Sequence, residues 1–145
     1  MAEFRDSIDI AASPETVFGY LTTNEGMTAW MGRHADLDPT PGGRFAVDIA
    51  GYPVRGTFLA VERPSRVVVS WGFAGSDELP AGASTVEFRL TPIAGGTRVD
   101  LHHCDLPETR VPGHALGWAN FLPRLGIAGA GGDPGPDRWR PSASG

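Results

Sequence analysis

The chain has 145 residues, enough for one domain with a sizeable core, and it carries 12 basic against 17 acidic residues for a formal net charge of -5. Every basic residue is arginine, which excludes a lysine Schiff base or a P-loop lysine, and the scattered arginines in an acidic chain argue against a nucleic-acid surface. The single cysteine, Cys104, excludes an intramolecular disulfide, and no apolar run reaches the roughly 18 residues that suggest a membrane span. With a start, Met1 to Asp6, that does not read as a signal peptide, the expected location is the cytoplasm.

Phe4, Ile8 and Ile10 share one parity while Arg5, Ser7 and Asp9 take the other, which predicts a first strand with one wet face. Ser13 followed by Pro14 is a helix start, with Val17, Phe18 and Leu21 as its apolar stripe. The break at Thr23-Asn24-Glu25-Gly26 predicts a second short helical piece carrying Met27, Trp30 and Met31. Four runs then alternate with turn signals, at 43–50, 53–62, 66–74 and 84–92, as in an antiparallel meander. Gly75 to Gly82 reads as a longer mobile loop, and a last strand runs from Thr97 to His103. From Val111 to about Leu125, His114, Trp118, Phe121, Leu122 and Leu125 fall at spacings of three and four and mark one apolar helix face, with Gly126 as the stop signal. The glycine-, proline- and serine-rich stretch 129–145 predicts a flexible tail after a domain spanning 1–128.

This order of elements resembles the SRPBCC superfamily, also called the START or birch-pollen-allergen-like helix-grip fold, and within it the subfamily named after activators of the heat-shock-protein-90 ATPase. The resemblance rests on an ordered set of pieces across about residues 3–127. They are Ala12-Ser13-Pro14-Glu15-Thr16-Val17-Phe18, then Trp30, Gly42-Gly43-Arg44-Phe45, Gly56-Thr57-Phe58 with Val61 and Pro64, and Val69-Ser70-Trp71. Gly96-Thr97-Arg98-Val99 with His103 and Gly117-Trp118 with Phe121-Leu122 complete it. It implies an α+β fold, a six- to seven-stranded curved antiparallel sheet wrapped around a long C-terminal helix. It also implies a cavity between sheet and helix, used in that superfamily for lipids, polyketides or other apolar molecules.

Strand parity sends Phe45, Val47, Ile49, Val54, Phe58, Val69, Trp71, Phe73, Val86, Phe88 and Leu90 to the concave side, facing His114, Trp118 and Phe121. Most of these side chains have core packing as their simplest role. The candidate ligand contacts are Trp30, Phe45, Phe58, Trp71, Phe73, Phe88, His103, His114, Trp118 and Phe121, with the indoles of Trp30, Trp71 and Trp118 able to orient a guest through their N–H groups. His103 follows Val99 and Leu101 inward while His102 points out, so His103 and His114 are the candidate acid–base groups, with Asp105 or Glu108 as orienting carboxylates. Arg33 and His34 are placed at the rim. Residues 102–105 alternate faces and cannot all reach one ion, so no metal site and no cofactor is expected.

The expected function is binding of a small hydrophobic molecule, a lipid, polyketide or aromatic compound. The alternatives are a cyclase- or dehydratase-type enzyme using a cavity histidine, and a chaperone-accessory interaction module. The partners to match are the small molecule itself, a second copy of the chain, or a chaperone-type protein. Trp139, between Arg138 and Arg140, is an aromatic in an otherwise polar tail and is expected to dock on the body or on a partner.

Overall fold

The computed structural model describes residues 2–137. Its order is β1 (Ala2–Ile10), α1 (Pro14–Thr22), α2 (Asn24–Thr28), β2 (His34–Leu37), β3 (Arg44–Ile49), β4 (Tyr52–Glu62), β5 (Arg66–Trp71), β6 (Ser84–Ile93), β7 (Gly96–Leu106), a 3-10 turn (Glu108–Arg110) and α3 (Val111–Gly129). The strands form one seven-stranded antiparallel sheet in the order β1-β7-β6-β5-β4-β3-β2, so the first strand returns beside the last and every other neighbour is consecutive. This is the helix-grip architecture: a curved sheet, two short helices after the first strand, and a long helix at the C-terminal end.

Local chemistry accounts for the helices. Ser13 caps α1 by accepting from the Thr16 amide at 3.2 Å, Pro14 occupies the first turn, and Thr23 ends α1 and caps α2 through the Gly26 amide at 3.0 Å. Val17, Phe18 and Leu21 bury the inner face of α1, while Met27, Trp30 and Met31 extend the same cluster. Among the described residues, no helix is long and apolar enough to cross a membrane.

The structure departs from the sequence-based expectations in four places. β2 is an additional short edge strand, its Ala35 opposite Val47; His34-Ala35-Asp36-Leu37 does alternate polar and apolar, but four residues are the shortest run that such a pattern can signal. The fifth strand ends at Trp71 rather than 74, and Phe73 contributes only an isolated bridge to Val54. The loop expected to be mobile is anchored: Leu79 is 0% exposed and its carbonyl accepts from the Phe73 amide at 2.9 Å. Finally, α3 continues past Gly126 to Gly129, because these glycines let the helix lie close on β1. A Cβ at Gly126 would sit 3.0 Å from Ile8 Cδ1, and one at Gly129 3.0 Å from Ile10 Cγ2. Gly126 is a close-approach residue, not a stop.

Beyond α3 the chain folds back. The Arg124 guanidinium donates to the carbonyls of Pro134 at 3.2 Å and Gly135 at 3.0 Å, and its Nε donates to the Trp30 carbonyl at 3.0 Å. The composition of this stretch predicts a loose tail, yet as far as Asp137 it is held against the helix. Trp139 lies outside the described residues.

Candidate functional site

One row of the sheet sets the site. Phe58 lies opposite Val69, Val69 opposite Val86, and Val86 opposite His103, so these side chains share the face turned toward α3. Ser84, two residues before Val86 and directly opposite Trp71, falls on that face too. From the other side, α3 brings His114, Trp118 and Phe121 at helical spacing. The structure therefore gathers Trp71, Phe88, His103, His114 and Trp118 around one point, with Phe73 at its outer edge and Phe45 and Phe58 behind. Trp30 joins from below, edge-on to Phe88, but its indole N–H is committed to the Tyr20 carbonyl at 3.0 Å. Phe121 is buried on the same face of α3.

The hydrogen bonds fix the state of both imidazoles. An indole N–H can only donate, so Trp118 Nε1, 3.1 Å from His103 Nδ1, makes that nitrogen the acceptor and leaves the proton on Nε2. His103 Nε2–H then donates to Ser84 Oγ at 2.8 Å, and the Ser84 hydroxyl donates to the Trp71 carbonyl at 2.7 Å. His114 takes the opposite tautomer. Its Nδ1–H donates to the Arg110 carbonyl at 2.8 Å, and its Nε2 accepts from Trp71 Nε1 at 3.3 Å. Among the described residues, every buried side-chain nitrogen or oxygen has a partner.

Both rings are held neutral. Burial pushes His103 well below the ordinary imidazole value, and the neighbouring His114 and His102 add to the effect. Burial also lowers His114, against the Arg110 carbonyl bond that favours its charged form. The carboxylates expected to orient these rings do not do so: Ser84, the Arg110 carbonyl and two indoles hold them instead. His102 points outward to Glu3, at 3.1 Å. Each imidazole lone pair is occupied by an indole, so a proton reaches either ring only when a tryptophan moves aside.

A run of rings leads from surface to core. Tyr52, 40% exposed, meets Phe73 edge-on at 6.4 Å between centroids, and Phe73 meets His114 at 5.9 Å. His114 packs on Trp71 at 6.4 Å, Trp71 on Trp118 at 5.3 Å, and Trp118 on Phe88 at 6.0 Å. The loop 72–83 and the start of α3 frame the outer end, latched by Glu78, which forms an ion pair with Arg110 Nε at 3.2 Å and accepts from the Thr109 hydroxyl.

Sequence reasoning missed Ser84, Leu79 and Tyr52. Ser84 was findable, since its parity matches Val86 opposite the inward His103; nothing in the loop composition marks Leu79. Arg33, expected at the rim of this site, instead lines a separate recess of about 430 Å³ beside Arg124, Asp133 and Asp137.

The comparisons with known proteins fit this architecture. The profile of the family described as activator of Hsp90 ATPase homolog 1-like protein matches residues 11–128. The solution structure of an AHSA1-like protein from Rhizobium etli is 37% identical, with a TM-score of 0.74 over 97% of this chain and 89% of that one. CalU16 from Micromonospora echinospora is 28% identical, with a TM-score of 0.75 over 92% and 77% of the two chains. The Aha1 dimer from Colwellia psychrerythraea, 24% identical, shares the fold with a TM-score of 0.75 over 88% and 96%. None of the curated proteins compared matches the chain. A profile match over most of the chain, on a sheet and helix with this topology, shows that the chain belongs to the activator of Hsp90 ATPase homolog 1-like protein family.

Proposed function

We propose that the chain binds a small apolar molecule, with aromatic or acyl surface, between the sheet and α3. The observation that carries this reading is the graded run of rings from the exposed Tyr52 and half-buried Phe73 and His114 to the buried Trp71, Trp118 and Phe88. A guest entering beside loop 72–83 meets apolar, polarisable ring faces, while the indole and imidazole groups among them are already bonded to one another. At about 25 cal/mol per Å², a guest hiding about 300 Å² of apolar surface gains roughly 7 kcal/mol before association costs. The enzyme alternative has less support, since each imidazole nitrogen already has a partner and neither ring presents a lone pair to a substrate.

The test is native mass spectrometry of gently purified protein, followed by thermal shift against fatty acids, polyketide-like aromatics and flavonoids. A ligand that prefers the folded state raises its apparent stability. Carry-over, or a saturable shift lost in a folded Trp118→Ala variant, supports the reading. No carry-over and no shift across the panel overturns it and turns attention to a protein partner.

A further inference from the structure

The two indole–imidazole bonds of the ring series are not equivalent. The bond from Trp118 to His103 is the shorter at 3.1 Å, joins rings that are 2% and 0% exposed, and continues through Ser84 to the Trp71 carbonyl. A guest group could enter it only by breaking that whole chain of bonds. The bond from Trp71 to His114 is longer, at 3.3 Å, and lies at the outer end, where His114 and Phe73 are half-buried. His114 also has a pivot there. Its Nδ1–H donates to the Arg110 carbonyl at 2.8 Å, a bond about which the ring can tilt while Nε2 stays an acceptor.

Building on the binding reading above, we propose that the guest carries a neutral hydroxyl group, as a phenol does. This group replaces the Trp71–His114 bond by accepting from Trp71 Nε1–H and donating to His114 Nε2. A hydroxyl fits because it is donor and acceptor on one atom. With about 2.9 Å to each nitrogen and a tetrahedral angle at oxygen, the nitrogens stand about 4.7 Å apart, so the rings part by only about 1.4 Å. An ether or ketone accepts from the indole but leaves His114 Nε2 without a donor, and a carboxylate sets its own lone pairs against that nitrogen. An ammonium meets the Trp71 N–H, donor against donor. The charged groups that frame this end, Arg110 and Glu78, hold each other at 3.2 Å and offer neither ion a counter-charge. Phe73 stands edge-on to Trp71 at 6.4 Å and lies 5.9 Å from His114, so a guest's ring has an apolar face beside its hydroxyl. Trp71 and His114 are thus the specificity-determining pair.

The test compares the Kd values of the full-length chain at pH 7.5 for 2-naphthol, 2-methoxynaphthalene and 2-naphthoate, measured by ligand-observed NMR. In the wild type, 2-naphthol is expected to bind several-fold more tightly than either relative. In His114→Phe, which keeps a ring but no acceptor, its advantage over 2-methoxynaphthalene is expected to fall to about one. Intermolecular Overhauser contacts between 2-naphthol and the ring protons of Trp71 and His114 locate the guest in the wild type without a substitution, and contacts elsewhere overturn the assignment. Equal or tighter binding of either relative overturns the hydroxyl while leaving an apolar guest in place. A preference that persists in folded His114→Phe overturns the role of this pair. If none of the three binds while palmitate does, the hydroxyl proposal falls alone; if palmitate also fails to bind, the binding reading falls with it.

Discussion

Trp118 Nε1 donates to His103 Nδ1 across 3.1 Å of buried space, so the long helix is pinned to β7 through the only nitrogen of that ring able to accept. Removing either partner orphans the other. Trp118→Phe leaves a buried acceptor and His103→Leu leaves a buried donor, and each is expected to cost about 1–3 kcal/mol beyond its packing effect. The double variant is expected to cost less than the sum, with a coupling of about 1 kcal/mol or more in denaturant unfolding. Strict additivity would show that the bond does not hold the helix.

The same bonds make stability depend on pH in a defined window. Both histidines are held below their ordinary value of 6.5, so the unfolded chain binds more protons than the folded one once pH falls toward that value. Their contribution is fully present above about pH 6.5 and is lost as pH drops below it, at up to about 1.4 kcal/mol per pH unit for each ring. Glu3 and Asp36 have values lowered from 4.5 and 3.8, so they titrate beneath this window. Urea midpoints are expected to fall between pH 7.5 and about 5.5, and to fall less in His103→Leu. A flat wild-type profile would mean the rings are not held neutral.

Most of the concave face was legible because strand parity is a property of sequence alone: Phe45, Phe58, Trp71, Phe88 and His103 are all buried as their alternation requires. The roles of the two histidines were not. Whether an imidazole meets a carboxylate or an indole depends on the register between β6, β7 and α3, which no local pattern encodes; Asp105 sits one residue from Cys104 yet is exposed, with a φ of 61° that turns the chain. Leu79 was invisible for a related reason. A single apolar residue among Ser76, Asp77, Glu78 and Pro80 has no periodicity, and only the tertiary fold shows that it plugs the core.

That plug depends on Gly72. A Cβ there would lie 1.8 Å from the Pro80 carbonyl oxygen, a backbone atom that cannot yield without moving the loop. Gly72→Ala is therefore expected to withdraw Leu79 from the core, costing about 2–4 kcal/mol in unfolding experiments, and to increase quenching of tryptophan fluorescence by a soluble quencher. Unchanged stability and quenching would show that the loop can shift without uncovering the rings.

Glu78 joins this loop to the start of α3 through Arg110 and the Thr109 hydroxyl, over the outer end of the ring series where Phe73 and His114 meet. The carboxylate side chain is 47% exposed, so water screens the ion pair and its worth to global stability is at most about 1 kcal/mol. Its effect on local opening is larger in proportion, because it ties together two segments that would part to admit the guest proposed above. Glu78→Gln is therefore expected to leave the unfolding midpoint nearly unchanged while amide exchange across residues 73–83 rises and any ligand found by thermal shift dissociates faster. If exchange in that loop and dissociation both match wild type, Glu78 does not act as a latch, and entry to the rings is governed elsewhere.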